Sequence, residues 1–403
     1  MNYWEVNSGS QSETRSICSI SGNERMGKMR KNGSLLTILF MAIFLVPFVM
    51  GGIGIASAAQ ELAFEKWPPR EQIISQIDEV IAELNSGKLN EKEAVAKIKG
   101  IIPQPIGYPK RPITVVIGWG PGGGSDLAIR NAGREAEKFL DVPLVYVNMP
   151  GAASEVATSY VYGRAPDGYT LLSVNGSPPA NALFMDLPYS FVEEFSPIFS
   201  GQGYSEAFFV PKDSPFKTWD ELVAWAKENP GKLTIATVGK TTDDQFVLWK
   251  VAEHFDIQIV NMGFESSGER RASVLGGHVV ALADSVGTVS QLLKSGDLRT
   301  LLYYGPVRFT EIDPDVPCMG DYGLEVKTLR WRGIAGPPKL PKHIQEYLYY
   351  IFYVSHQMPE YKSYEKQVML HYSQPWALGP EDLKKFWTEF YNDGKELAEK
   401  YQQ

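Results

Sequence analysis

The sequence predicts an α/β protein of two lobes facing each other across a ligand cleft, with a helical extension in front. Three observations carry this expectation. From Ile113 onward β-branched runs alternate with helix-spaced segments, the same rhythm restarts at Leu233, and extended stretches join the two sets. Alternating strands and helices imply a parallel sheet in each set, and two linked sets imply lobes with a cleft between them.

The 403 residues suffice for two domains, and 44% hydrophobic with 21% charged residues is an ordinary globular composition. A formal net charge of -8 advertises no basic face for nucleic acid. Cys18 and Cys318 are the only cysteines, which excludes a disulfide framework and a Cys-based zinc site. The histidines show no metal spacing, so neither a metal nor a cofactor is expected.

Lys28, Arg30 and Lys31 precede an apolar stretch, Leu35 to Ile55, that ends at Ala56-Ser57-Ala58. These are the n-region, h-region and A-x-A site of an export signal. Residues 1–58 are read as a leader, cleaved at that site, although the stretch is also long enough to anchor the chain in a bilayer. In both cases the remainder lies outside the cytoplasmic membrane.

Residues 59–105 read as a helical hairpin. Ile73, Ile74, Ile77, Val80, Ile81 and Leu84 follow helical spacing, Asn85-Ser86-Gly87 breaks it, and Ala94, Val95, Ile98 and Ile101 resume it. ITVVI (113–117), LVYVN (144–148) and YTLLSV (169–174) are strands, with helices over Asp126–Phe139 and Glu155–Tyr162 between them. AFFVP (207–211) leads to a capped helix start at Thr218-Trp219-Asp220-Glu221. LTIATV (233–238), IQIVNM (257–262) and VVALADS (279–285) repeat the pattern, with helices over Gln245–His254 and Glu269–Leu275. LRTLLYY (298–304) and WRGIAG (331–336) are further strands, and the rest is mostly helical. Lobe 1 is expected from 106–207 with 306–403, and lobe 2 from 208–305.

The stretch GWGPGGGSD (118–126) spells G-x-G-x-x-G after a strand. It is not a dinucleotide site, because the second strand ends in Asn148 where an acidic residue would hold the ribose. It is not a P-loop, because no lysine follows and Asp126 would repel a phosphate. Bare N–H groups at a helix N-terminus do favour other anions, and four glycines in five positions imply that something approaches the backbone closely.

Several landmarks stand in a fixed order: GWGPGGGSD (118–126), VNMPGA (147–152), RAPDGYTLL (164–172), NPGKLTIATVG (229–239), VLGGHVVALADS (274–285), DPDVP (313–317) and WRGIAGPPKLP (331–341). Together they resemble the substrate-binding proteins of tripartite tricarboxylate transporters, also called Bug-type receptors, from about Tyr108 to the C-terminus. The resemblance implies a two-lobed, type II-like periplasmic-binding-protein fold that closes on a small carboxylate and delivers it to one large and one small integral-membrane subunit. It implies a receptor and not an enzyme. A receptor that presents its ligand to a sensor, and a cleft enzyme, stay as alternatives. The chain departs from the family pattern at Ala152–Glu155, at Gln245 where a histidine is common, and at Phe264-Glu265 where Tyr-Lys is common.

Within that frame the residues themselves indicate a site. Gly122, Gly123 and Gly124 offer N–H donors, Thr241 and Thr242 hydroxyls, and Lys240 a cation, the inventory for a carboxylate. Ser125 and Asp126 are helix caps or ligand contacts; Asp126 and Asp243 can read an amino or hydroxyl group, or Asp243 and Asp244 can simply cap the helix that starts at Gln245. Asn175, Ser177, Asp284 and Ser285 follow strands, where open sheets place ligands. Trp119 and Trp331 are candidates for the cleft wall. The expected form is a monomer with no nucleic-acid partner.

Overall fold

The computed structural model describes residues 60–61, 63–305, 308–309, 313–324, 330–369 and 376–401. The leader read in 1–58 lies outside these residues. In chain order the first elements are α1 (Arg70–Asn85), α2 (Glu91–Ile101), β1 (Ile113–Ile117), α3 (Gly124–Ala136), β2 (Leu144–Asn148), α4 (Glu155–Tyr162) and β3 (Thr170–Val174). Next come α5 (Ser177–Asn181), α6 (Phe191–Glu194), β4 (Ser196–Tyr204), β5 (Glu206–Pro211), α7 (Trp219–Glu228), β6 (Leu233–Val238) and α8 (Asp243–Phe255). The remainder is β7 (Ile259–Phe264), α9 (Ser267–Leu275), β8 (Ala281–Ser285), α10 (Ser290–Ser295), β9 (Leu298–Tyr303), β10 (Arg330–Gly336), α11 (Lys342–Gln357), α12 (Pro359–Gln367) and α13 (Pro380–Tyr401).

Among the described residues two five-stranded sheets form, in the orders β2-β1-β3-β10-β4 and β7-β6-β8-β5-β9. The sheets are mixed rather than parallel, and the reason is in the crossings. The parallel sets are β2-β1-β3 and β7-β6-β8, while β10 runs antiparallel to β3 and β5 antiparallel to β8. β5 continues directly from β4 of the first sheet and enters beside Ser285, the carboxyl end of β8. β10 pairs at Gly333 with Val174, the carboxyl end of β3. A strand arriving from the opposite lobe comes in from the cleft side, at the carboxyl ends of the parallel strands, and so must run against them.

Alternation of side chains across each strand supplies a core on both faces of each sheet. Ile113, Val115 and Ile117 of β1 face one core with Ile129 and Phe139, whereas Val116 faces another with Leu172, Val174 and Trp331. Trp331 is fully buried against Trp387 and Phe386 and so belongs to the core of lobe 1, not to a cleft wall. The second sheet is covered by Phe208, Trp219 and Val247 on one face and by Phe209, Val274 and Leu282 on the other.

The helical hairpin lays its apolar stripe on lobe 1. Ile73, Ile77, Val80, Ile81, Ala94 and Ile98 share a core with Tyr347, Leu348 and Ile351 of α11, and Arg70 Nε donates to Glu346 at 2.9 Å. At the other end of the chain α13 starts on lobe 1, where Leu383 and Trp387 are buried, and finishes against α8 of lobe 2, where Tyr401 stacks on Trp249 with ring centroids 5.5 Å apart.

Candidate functional site

A cavity of about 40 Å³ lies between the lobes at the carboxyl ends of both sheets. Lobe 1 lines it with Trp119, Gly123, Gly124, Ser125, Asn175, Tyr204 and Arg332, and lobe 2 with Glu206, Val238, Phe264, Glu265, Ser267, Arg270, Asp284 and Thr288.

The glycine loop is organised from within. Asp126, 3% exposed, accepts from the Gly122 N–H at 2.9 Å, from Arg130 Nε at 2.7 Å and from Asn148 Nδ2 at 2.9 Å, and Asn148 also donates to the Trp119 carbonyl. Burial opposes its charge, yet the Gly122 N–H, Asn148 and Arg130 together hold its carboxyl below the usual range. Asp126 is therefore a tie that fixes the loop, and the Gly122 N–H is spent on it. The donors left for a ligand are those of the first turn of α3, behind the Gly123 cap, which has no intrahelical acceptors for them. Gly123 and Gly124 are needed for close approach. A Cβ on Gly123 would stand 3.1 Å from Ser267 Oγ of lobe 2, and one on Gly124 would stand 2.9 Å from Arg332 Cζ and 3.1 Å from Thr288 Cγ2.

Beside this loop the chain makes three consecutive left-handed residues, Ala152, Ala153 and Ser154, with φ of 47°, 55° and 77°. Such positions cost roughly 1 kcal/mol or more apiece, so they persist only where the surroundings fix them. Here Asn181 Nδ2 holds the Ala153 carbonyl at 3.0 Å, and the Ala153 N–H donates across the cleft to Glu265 Oε1 at 3.0 Å.

In lobe 2 the segment 240–243 does not line the cavity, which departs from the sequence expectation. Thr242 is 1% exposed; its hydroxyl caps α8 by accepting from Asp244 N and donates to the Val238 carbonyl at 2.7 Å. Thr241 Oγ1 reaches Asn181 Oδ1 of lobe 1 at 3.4 Å, and Lys240 is exposed. Asp243 and Asp244 pair with Arg330, which also donates to Glu206 Oε2 at 2.8 Å. Three buried carboxylates thus surround one guanidinium. Burial, together with the Asp244 and Asp243 charges, outweighs Arg330 and pushes Glu206 up to about 8. Asp243 is held against Gly176 of lobe 1, where a Cβ would stand 2.5 Å from its Cγ. Short polar residues at a helix start serve caps as readily as ligands, and here capping and ion pairing take them.

Of the remaining sequence candidates, Trp119, Ser125, Asn175 and Asp284 line the cavity, and Asn175 Oδ1 also accepts from Ser177 N at 3.1 Å. Ser177 and Ser285 are buried behind it, Ser285 sharing a hydrogen bond of 2.7 Å with Thr288.

The sequence reading missed two arginines. Arg270 on α9 is 2% exposed and meets Asp284 Oδ2 through Nη2 at 2.7 Å, as a charge pair rather than an aligned hydrogen bond. Its Nε and Nη1 are buried with no partner among the described residues. Arg332 on β10 lies over the Tyr204 ring, 3.8 Å from its centroid, and donates through Nη1 to Gln202 Oε1 at 3.2 Å, while its Nε is buried without a partner among the described residues. Arg270 sits in a charged helical segment (GERRASV) that reads as a solvated face. Arg332 sits in a strand that reads as core, and only its place among apolar neighbours could have marked it. The arrangement offers a helix N-terminus and two guanidinium groups to a small anion, between aromatic walls.

Comparison with known proteins bears on the family and the fold. The sequence profile described as the tripartite tricarboxylate transporter family receptor matches residues 128–402. A Cupriavidus necator protein, described as the UPF0065 protein in the gbd 5' region, is 29% identical over 293 residues, 73% of this chain and 88% of that one. The periplasmic binding protein BugD superposes with a TM-score of 0.66 at 24% identity, over 73% of this chain and 98% of its own. MatC from Rhodopseudomonas palustris, solved with bound malate, gives 0.65 at 22%, over 72% of this chain and all of that one.

Proposed function

The chain belongs to the tripartite tricarboxylate transporter receptor family, and from that premise we propose that its cleft captures a small organic carboxylate outside the cytoplasmic membrane and hands it to a large and a small membrane subunit. The observation that carries this reading is the cavity itself, where the first turn of α3 and two partly unmatched arginines converge between two lobes. A carboxylate takes charge-assisted hydrogen bonds from such donors, and a helix N-terminus adds a favourable dipole. A ligand that touches both lobes favours the closed form, since only differential affinity shifts a conformational equilibrium. Malate bound to MatC is the kind of molecule this chemistry fits. The receptor acts as a monomer and returns its ligand chemically unchanged.

A thermal-shift screen of mono-, di- and tricarboxylates, amino acids and neutral sugars tests the reading. A carboxylate is expected to raise the melting temperature in a saturable way and to be recovered intact by mass spectrometry. Stabilisation by neutral sugars alone, or conversion of the ligand, would overturn it.

A further inference from the structure

Arg330 stands where the lobes meet, and the charge around it does not balance. It opens β10, the strand by which the chain returns to lobe 1, while Glu206 opens β5, the strand by which it crosses to lobe 2. Glu206, Asp243 and Asp244 all pair with this one guanidinium, and none of the four residues is more than 6% exposed. Three carboxylates against one cation leave negative charge uncompensated out of water, a state that buried groups avoid by holding a proton.

The hydrogen bonds indicate which carboxyl holds it. Asp244 Oδ2 accepts from the Val238 N–H at 2.8 Å, and neither Asp243 nor Asp244 lines the cavity. Glu206 does line it, and accepts from Arg330 Nε at 2.8 Å with no backbone donor among the described residues. Burial pushes the Glu206 carboxyl up to about 8, opposed by Arg330 and helped by Asp244, Asp243 and Asp284.

The other charged groups around the cavity are matched or screened. Asp284 of β8 is bound to Arg270 of α9, with Arg271 3.8 Å away, and Arg332 of β10 lies over the Tyr204 ring of β4. Burial pushes the phenols of Tyr204 and Tyr304 up, so both stay neutral. Glu265 at the rim has no cation partner among the described residues; it is exposed and accepts the Ala153 N–H, so water screens its charge. No histidine lines the cavity.

Resting on the carboxylate-receptor reading, we propose that the cleft takes up a proton together with its anionic ligand, on the Glu206 carboxyl. An anion in a cavity of about 40 Å³ that Glu206 lines meets that carboxyl at close range. Two like charges there repel across a low dielectric; a proton on Glu206 removes the repulsion and leaves an O–H to donate to the ligand. The proton comes from solvent and returns to it on release, and no other bond forms or breaks. The receptor therefore holds its ligand at neutral pH and loosens it in alkaline medium.

The test is isothermal titration calorimetry of the purified exported protein with malate, adipate and benzoate at pH 7, 8 and 9, in pairs of buffers with different ionisation heats. These probes are ionised throughout that range, so a proton gained on binding belongs to the protein. The expected uptake is about a tenth of a proton at pH 7, about half at pH 8 and more at pH 9, with affinity falling about five- to tenfold from pH 7 to 9. Glu206→Gln is expected to take up no proton and to show the same Kd at all three pH values. Asp243→Asn removes a like charge beside Glu206 and is expected to move the rise in uptake to lower pH; it carries the test if the glutamine variant fails to fold. Binding without proton uptake at pH 8 and 9, or a folded Glu206→Gln that gains protons as the wild type does, would overturn the proposal and leave the receptor reading standing. If none of the three probes binds at any pH, the receptor reading falls and the proposal with it.

Discussion

Gly124→Ala separates the cleft from the fold. The added Cβ would stand 2.9 Å from Arg332 Cζ and 3.1 Å from Thr288 Cγ2. Ordinary carbon contacts stand at about 3.5–4.0 Å, so the guanidinium must retreat by roughly 1 Å. A charged hydrogen bond of about 2.9 Å stretched by that much is no longer one, and its loss is worth about 1.5–3 kcal/mol, or ten- to a hundredfold in affinity. Stability should change little, because the nearest atoms are the far ends of two side chains beside a cavity. Gly122→Ala is the control: its φ of +75° strains a side chain, but nothing lies within 4 Å of the new Cβ. The assay is titration with the carboxylate that binds the wild type best, alongside urea unfolding of all three proteins. Wild-type affinity in Gly124→Ala, or an equal loss in Gly122→Ala, would refute the place given to Arg332.

Gly118→Ala should act on the fold instead. Its Cβ would meet Ser154 Cβ at 2.6 Å and Ser154 Cα at 2.9 Å, in the left-handed turn, and overpacking of this kind costs about 1–3 kcal/mol by urea unfolding; an unchanged unfolding midpoint would contradict the close packing. Arg330→Met strands Glu206, Asp243 and Asp244 without a cation, and at pH 8 it should lower stability by about 3–5 kcal/mol, with a smaller loss at pH 5; equal losses at both pH values would count against the cluster. Glu206, raised from 4.5 to about 8, binds its proton more tightly folded than unfolded. Its contribution is therefore complete below about pH 4.5 and drains as pH rises toward 8. The wild type should lose stability over that window and Glu206→Gln should flatten the slope; parallel profiles for the two proteins would refute the assignment.

Much of the architecture is legible because periodicity reports burial directly. The runs at 113–117, 144–148 and 233–238 coincide with β1, β2 and β6. β4 escaped, since Ser196-Pro-Ile-Phe-Ser-Gly-Gln-Gly-Tyr204 has neither alternation nor a continuous apolar run, although every residue in it is buried. AFFVP and WRGIAG read as strands and form β5 and β10, but their antiparallel direction is not legible, because strand direction depends on which lobe the chain comes from, and that is not a local property. In the site, the glycine loop was visible because glycine has no other common use at that density. The lobe 2 wall was not, because Thr242 and Asp243 make the same local pattern whether they cap a helix or face a ligand, and tertiary ion pairing with Arg330 decides between them. Arg270 and Arg332 are functional candidates only once burial and missing partners are known.

The most direct test of the central claim is a crystal structure of the protein with the carboxylate that gives the largest thermal shift. The ligand is expected between the lobes, with a carboxylate group within hydrogen-bond reach of Arg332 and the first turn of α3. A ligand seated instead on Lys240–Thr242, or on the outer surface of either lobe, would contradict the account.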